Sequence, residues 1–218
     1  MRNIILTLVW LMLFTTSAFA KPEIVLNIPE YTLRLIDGDT VLKEYEVAVG
    51  TYEDQTPIGN FAVFFKEVNP TWYPGSKVKD RTPVPPGPDN PLGRRWIEFA
   101  PAYGIHGTHK LWTVEYPISR GCVRMYNPDV EELYELVDID TPVTVIYETI
   151  TVVEKKDGLY VRIFSDIYEK HTTSRGKYLA LIAPFKSQYG LTHEPVWPVE
   201  VDFAQVYELK IGVPSAAQ

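Results

Sequence analysis

Ile118-Ser119-Arg120-Gly121-Cys122-Val123-Arg124-Met125 contains the only cysteine among the 218 residues. The chain opens with the pattern of an export signal, so this thiol is expected in an oxidising compartment, where cysteines normally pair as disulfides. A lone thiol there suggests a reactive group. Two small residues, Ser119 and Gly121, precede it, and Arg120 and Arg124 flank it. Such an open, electropositive setting favours the thiolate, the form that attacks carbonyls. The competing reading is a buried free cysteine acting as a small hydrophobe.

Residues 1–20 carry a positive start at Arg2, an apolar run from Ile4 to Phe14 and an Ala-x-Ala ending, Ala18-Phe19-Ala20. This is the layout of a secretory signal, with cleavage expected after Ala20. The apolar run is short for a membrane span. No later run is long enough for one, so no stable span is expected after cleavage. The mature chain keeps 20 basic and 28 acidic residues, a net charge of −8. An acidic chain without a basic stripe lacks an electrostatic footprint for nucleic acid. The remaining length suits one domain, or one domain with a small appendage.

The pattern up to the cysteine is β. Ile24, Leu26, Ile28, Leu33 and Leu35 read as a strand pair or one long strand, and Asp37-Gly38-Asp39 turns the chain into an alternating run to Val49. Gly50 to Asn60 reads as a loop, and Phe61 to Phe65 as one buried strand. Seven prolines between Pro70 and Pro91 make 69–93 irregular. A segment of that length is expected to be a functional loop, and its Trp72 and Tyr73 suggest that it packs over something. Trp96 to Phe99 returns to strand. After the cysteine, Asn127 reads as an N-cap and Pro128 as the first helical residue, with Val130, Leu133, Tyr134 and Val137 on one face. Thr141 to Tyr147 is a further strand. Beyond it, residues 149–218 read as a C-terminal extension that begins with a hairpin around Asp157-Gly158 and then loses any clear period.

A cysteine nucleophile needs a base, and histidine is the usual one near neutral pH. Of His106, His109, His171 and His193, the first two are candidates by proximity. His106 lies between Gly104 and Gly107, where the backbone can approach closely. His109 sits deeper in the following loop, in a more solvated position.

His106-Gly107-Thr108, followed after a further stretch by Ser119-Arg120-Gly121-Cys122-Val123-Arg124-Met125, resembles the signature of the L,D-transpeptidase (YkuD-type) catalytic domain. Thr56-Pro57-Ile58-Gly59-Asn60-Phe61 and the run from Pro85 to Gly93 also match it. The resemblance spans about residues 23 to 148. It implies a mostly β, sandwich- or barrel-like catalytic domain over 21–148, with one short helix after Cys122 and a C-terminal extension of unassigned role. It implies that Cys122 attacks a peptidoglycan stem peptide, releases D-alanine and passes the acyl group to an amine, forming a 3→3 cross-link. His106 would be the base. The amides of Gly121 and Cys122 would hold the oxyanion, and Ser119 would support the turn. The segment containing Trp72 and Tyr73 would exclude water.

In one place the sequence departs from the family pattern. The family usually has histidine directly before Gly-Cys, and here Arg120 occupies that position. Arginine cannot serve as a base. Arg120 and Arg124 would instead favour the thiolate, bind a substrate carboxylate, or simply pair with nearby acids. No metal or other cofactor is implied. The expected location is the periplasm or cell wall, in cell-wall biogenesis. Alternative acceptors are water, a free D-amino acid or a lysine of an outer-membrane lipoprotein. The alternative from another class is an inactive wall-binding module.

Overall fold

The computed structural model describes residues 21–76, 78–191 and 207–214. The expected export signal and His193 lie outside these residues. The chain is mostly β. A five-stranded sheet has the order β3 (Thr40–Glu46), β2 (Thr32–Asp37), β1 (Glu23–Asn27), β11 (Pro142–Ile146), β5 (Gly59–Ala62). A four-stranded sheet has the order β10 (Val123–Arg124), β8 (Tyr103–His106), β7 (Arg95–Ala100), β6 (Phe65–Val68). The short strands β4 (Val49–Gly50) and β9 (Pro117–Ser119) pair with each other in parallel.

The apolar faces of the two large sheets meet in one core. Ile24, Leu26, Leu33, Leu35, Val143 and Val145 enter it from the first sheet, and Ile97, Phe99, Ile105 and Val123 from the second. These residues alternate along their strands, as period-two side-chain placement requires. Phe61 and Phe99 meet edge to face across the gap, with ring centroids 5.5 Å apart. Helix α1 (Asn127–Leu136) adds Val130 and Leu133 to the same core and packs on β7 and β8.

Residues 23–36 form a strand pair, turning at Tyr31, whose φ is 53°. The expected single buried strand over Phe61–Phe65 is instead two strands. The Val63 N–H donates to the O of Thr141, just before β11 of the first sheet, and the Phe64 N–H to Glu98 O in the second. The chain therefore changes sheets at Val63. Val63 is fully buried, while Phe64 and Phe65 are exposed.

The helix after the cysteine is present, but Asn127 does not cap it. Tyr126 occupies the cap position without a side-chain hydrogen bond. The Asn127 amide joins two loops instead: Oδ1 accepts from the Arg94 N–H at 3.1 Å and Nδ2 donates to Thr108 O at 3.1 Å.

A second helix was not expected. Beyond β11 the described residues form a three-stranded antiparallel sheet, β12 (Ile150–Lys155), β13 (Gly158–Ile163) and β14 (Tyr207–Gly212), with α2 (Arg175–Ile182) against it. Ile150, Val161, Ile163, Tyr178 and Ile182 make a separate small core. Ser174 caps α2 by accepting the Lys177 N–H at 3.2 Å.

Candidate active site

The parallel pairing of β8 with β10 brings the conspicuous residues together. Val123 lies opposite Ile105 and Arg124 opposite His106. Val123 and Ile105 point into the core, so by alternation Gly104, His106, Cys122 and Arg124 turn to the other face. Antiparallel β7 adds Trp96 opposite His106 and Glu98 opposite Gly104 on that same face. Gly104 is required there: a Cβ would stand 2.6 Å from the Trp96 ring.

His106 is 4% exposed. Its ring stacks on Trp96 with centroids 5.7 Å apart, and Nδ1 lies 2.6 Å from Gly107 O. A carbonyl only accepts, so Nδ1 carries the proton and Nε2 keeps the lone pair. Burial pushes the His106 pKa down to about 4, partly opposed by the Gly107 bond and helped by the Arg124 charge. His106 is thus neutral at physiological pH and suited to accept a proton at Nε2.

Cys122 is half-buried and unpaired. Its Sγ lies 3.8 Å from Ala102 O, to which the thiol donates. Burial raises its pKa, and a backbone hydrogen bond from Gly104 and the Arg124 charge only partly offset this. The expectation of an easily ionised thiol is therefore corrected: desolvation outweighs the neighbouring cation, and the resting pair is neutral thiol with neutral imidazole.

Ser119 and Gly121 shape the turn before the thiol. Ser119, 1% exposed, donates from Oγ to Cys122 O at 2.5 Å and accepts the Gly121 N–H at 3.1 Å. Gly121 has φ 94°, and a Cβ there would sit 2.4 Å from the Tyr103 ring. Only glycine fits. Because its N–H is held by Ser119, the Gly121 amide is not free in this state to join Cys122 as an oxyanion donor.

Arg120 is exposed, and neither Arg120 nor Arg124 forms an ion pair among the described residues. Arg124 is half-buried, with its Nε buried and without a hydrogen-bond partner. The reading in which nearby acids neutralise both arginines therefore has no support here.

Segment 69–93 is more ordered than its prolines suggested. Trp72 and Val84 exchange two backbone hydrogen bonds of 2.9 Å. Buried Asn90 donates to the carbonyls of Pro70, Val84 and Pro85. His109 Nδ1 lies 3.3 Å from Asn90 O, which ties this segment to the loop after His106. A cleft of about 510 Å³ lies between them, lined by Asn90, Gly93, Thr108, His109 and Asn127 among others. Trp72 is half-buried and Tyr73 is 73% exposed; no described contact joins either to Cys122. Gly107 and Gly93 pack together around the Asn127 carboxamide, where a Cβ on Gly107 would lie 2.1 Å from Oδ1.

Sequence reasoning missed Gly104, Trp96 and Glu98 as site residues. Their period-two spacing with His106 and Cys122 on paired strands was the available signal. Among the described residues no cluster of acids, histidines and cysteine is arranged to hold a metal.

A buried histidine and a half-buried thiol thus stand on one sheet face. Residues 21–145 match the L,D-transpeptidase catalytic domain (YkuD), and the chain belongs to that family. It is 35% identical over 130 residues to the putative L,D-transpeptidase YqjB of Bacillus subtilis, covering 57% of this chain and 70% of the relative. It is 29% identical over 160 residues to the probable L,D-transpeptidase YbiS of Escherichia coli, covering 68% of this chain and 52% of the relative. Among solved structures, an L,D-transpeptidase from Stackebrandtia nassauensis aligns with TM-score 0.45 at 24% identity, over 58% of this chain and 55% of its own. The chain thus spans about half the length of these last two relatives.

Proposed function

We propose that this protein is an exported L,D-transpeptidase in which Cys122 is the nucleophile and His106 the base. The observation that carries this reading is the fixed tautomer of His106. With Nδ1–H held by Gly107 O, Nε2 has a free lone pair on the face that Cys122 occupies.

The donor is a stem peptide ending in D-alanine. As Sγ attacks the carbonyl of the third residue, the thiol proton passes to His106 Nε2. The carbonyl π electrons move to oxygen, where the Cys122 N–H donates to the oxyanion. Collapse breaks the C–N bond, and the Nε2 proton leaves with D-alanine. The acceptor amine then attacks the thioester, giving its proton to Nε2 while sulfur departs. That proton returns to Sγ. A neutral resting pair suits this sequence, because charge develops only as the bonds change. Arg124, without a carboxylate partner among the described residues, is assigned to a carboxylate of the stem.

Residues 1–20 are assigned to export, 21–148 to catalysis and 149–218 to an extension. Segment 69–93, with Trp72 and Tyr73, is assigned to excluding water from the acyl-enzyme. Location in the periplasm or cell wall follows from this substrate.

The test is mass spectrometry of products from residues 21–218 mixed with a disaccharide-tetrapeptide. A dimer lacking one D-alanine, absent with Cys122→Ala, is the expected result. Tripeptide alone would make water the acceptor. No product, together with no covalent carbapenem adduct at Cys122, would overturn the reading in favour of an inactive wall-binding module.

A further inference from the structure

Tyr168 belongs to the C-terminal extension by sequence, yet its side chain lies in the main core, 3% exposed. Its hydroxyl donates to Gly50 O at 2.8 Å and accepts the Thr56 N–H at 3.1 Å. Both ends of loop 50–56 are therefore held by one atom. The loop is closed further by the Gly50 N–H donating to Thr56 Oγ1 at 2.9 Å. A Cβ on Gly50 would fall 2.2 Å from Asp54 O, so the loop folds directly over this residue.

The other side of the loop faces the turn that presents the thiol. The Thr51 N–H donates to Ser119 O at 3.0 Å, and Gly50 pairs with Ser119 across the β4–β9 ladder. Gln55 O lies 3.0 Å from where a Gly121 Cβ would be. Lys170 Nζ adds a bond of 3.3 Å to Gln55 Oε1 from the same extension segment. Tyr168 itself is fixed by a stack on Tyr147, with centroids 5.5 Å apart, and by its own N–H donating to the Tyr147 hydroxyl at 2.7 Å. Tyr147 in turn donates to Asp166 at 2.6 Å.

We infer that Tyr168 is a positioning residue: through loop 50–56 it sets the Ser119–Gly121 turn and hence the attitude of Cys122, so the extension is part of the catalytic apparatus. The inference rests on Cys122 being the nucleophile. Misplacing a reacting group by about an ångström can cost two orders of magnitude in rate, and a loop released at both ends permits such a shift.

The test compares Tyr168→Phe, which keeps the ring and removes both hydrogen bonds, with Val161→Ala. Val161 lies in the separate core of the extension, so its truncation lowers stability without touching the loop. Hydrogen exchange is followed in residues 50–57 and 118–124, and carbapenem acylation of Cys122 is measured as rate constant and as final amplitude. Tyr168→Phe should speed exchange in both segments. It should lower the acylation rate constant about tenfold or more at full amplitude. Val161→Ala should do neither, because a purely structural loss reduces amplitude alone. Unchanged exchange in Tyr168→Phe overturns the inference whatever the enzyme does. Faster exchange with an acylation rate equal to that of Val161→Ala also overturns it. A wild-type protein that forms no adduct would count against Cys122 as the nucleophile and therefore against Tyr168 as its positioning residue, even if the exchange data upheld the brace.

Discussion

Arg124 lies directly across the parallel β8–β10 ladder from His106, and the next residue, Met125, donates its N–H to the His106 carbonyl at 2.8 Å. The strand that carries the proposed base and the strand that follows the proposed nucleophile are therefore locked in register. A fixed cation stands beside both groups. It lowers the Cys122 pKa against the pull of burial and lowers the His106 pKa in concert with it. The first effect favours the thiolate; the second keeps the imidazole unprotonated at rest but makes it a weaker base.

Replacing Arg124 with Gln should therefore raise both pKa values. The thiol then loses the charge that helps it ionise, so carbapenem acylation at neutral pH should fall. The pH profile of acylation by stopped-flow fluorescence gives the check. An unchanged profile would mean that Arg124 does not act on the pair.

The pH response of stability follows from His106. Its folded pKa, about 4, lies below the ordinary histidine value of 6.5. Between these values the unfolded chain binds the proton and the folded chain does not. This contribution is complete above pH 6.5, is lost as pH falls toward 4, and reaches about 3 kcal/mol. Chemical denaturation at pH 7, 5.5 and 4.5 should show the decline, and a His106→Gln variant should show less of it. The acid limb of activity should likewise fall near 4 rather than near 6.5.

Cys122→Ala should abolish turnover and leave the fold intact. The thiol is only half-buried, so its removal opens little cavity. Thermal unfolding should shift by no more than about 1 kcal/mol equivalent. A large loss of stability with activity retained would make Cys122 a packing residue.

Arg120→His should be tolerated. The side chain is exposed and has no ion pair among the described residues, and surface changes of this kind stay within about 0.5 kcal/mol. Acylation kinetics of the variant provide the measurement. A marked loss would give Arg120 its own role in binding.

Much of this site could be read from residues close together in the chain. Cys122 with its small neighbours, and His106 between two glycines, are local patterns, and the β character of 23–49 follows from alternation. What escaped depends on distant partners. Phe61–Phe65 looks like one strand until the change of sheets at Val63 is known, because both halves are apolar. Asn127 has the composition of a helix cap, but loops 33 and 19 residues earlier in the chain supply its partners. The thiol environment was misjudged because sequence displays charge and conceals desolvation. Helix α2 carries apolar residues without a clean face, and β14 completes its sheet from more than forty residues beyond β13, so no local period announced the extension.

The junction at Asn127 offers a test through non-additivity. Its carboxamide is held from both sides, by the Arg94 N–H and by Thr108 O, and the Cβ of an alanine at Gly107 would come within 2.1 Å of Oδ1. A freely swinging side chain would yield to that methyl group, but this one cannot move without giving up two hydrogen bonds. Asn127→Ala should cost about 1–3 kcal/mol, the range for leaving such partners unsatisfied. Gly107→Ala should cost a similar amount through overlap. In the double variant the clash has no second partner, and the remaining neighbour, Arg94 N, lies at 3.3 Å. The two losses should therefore sum to clearly more than the double variant shows, with a coupling of about 1 kcal/mol or greater. Urea unfolding of the four proteins measures it. Strict additivity would mean that the Asn127 carboxamide moves freely and does not clamp the loop next to His106.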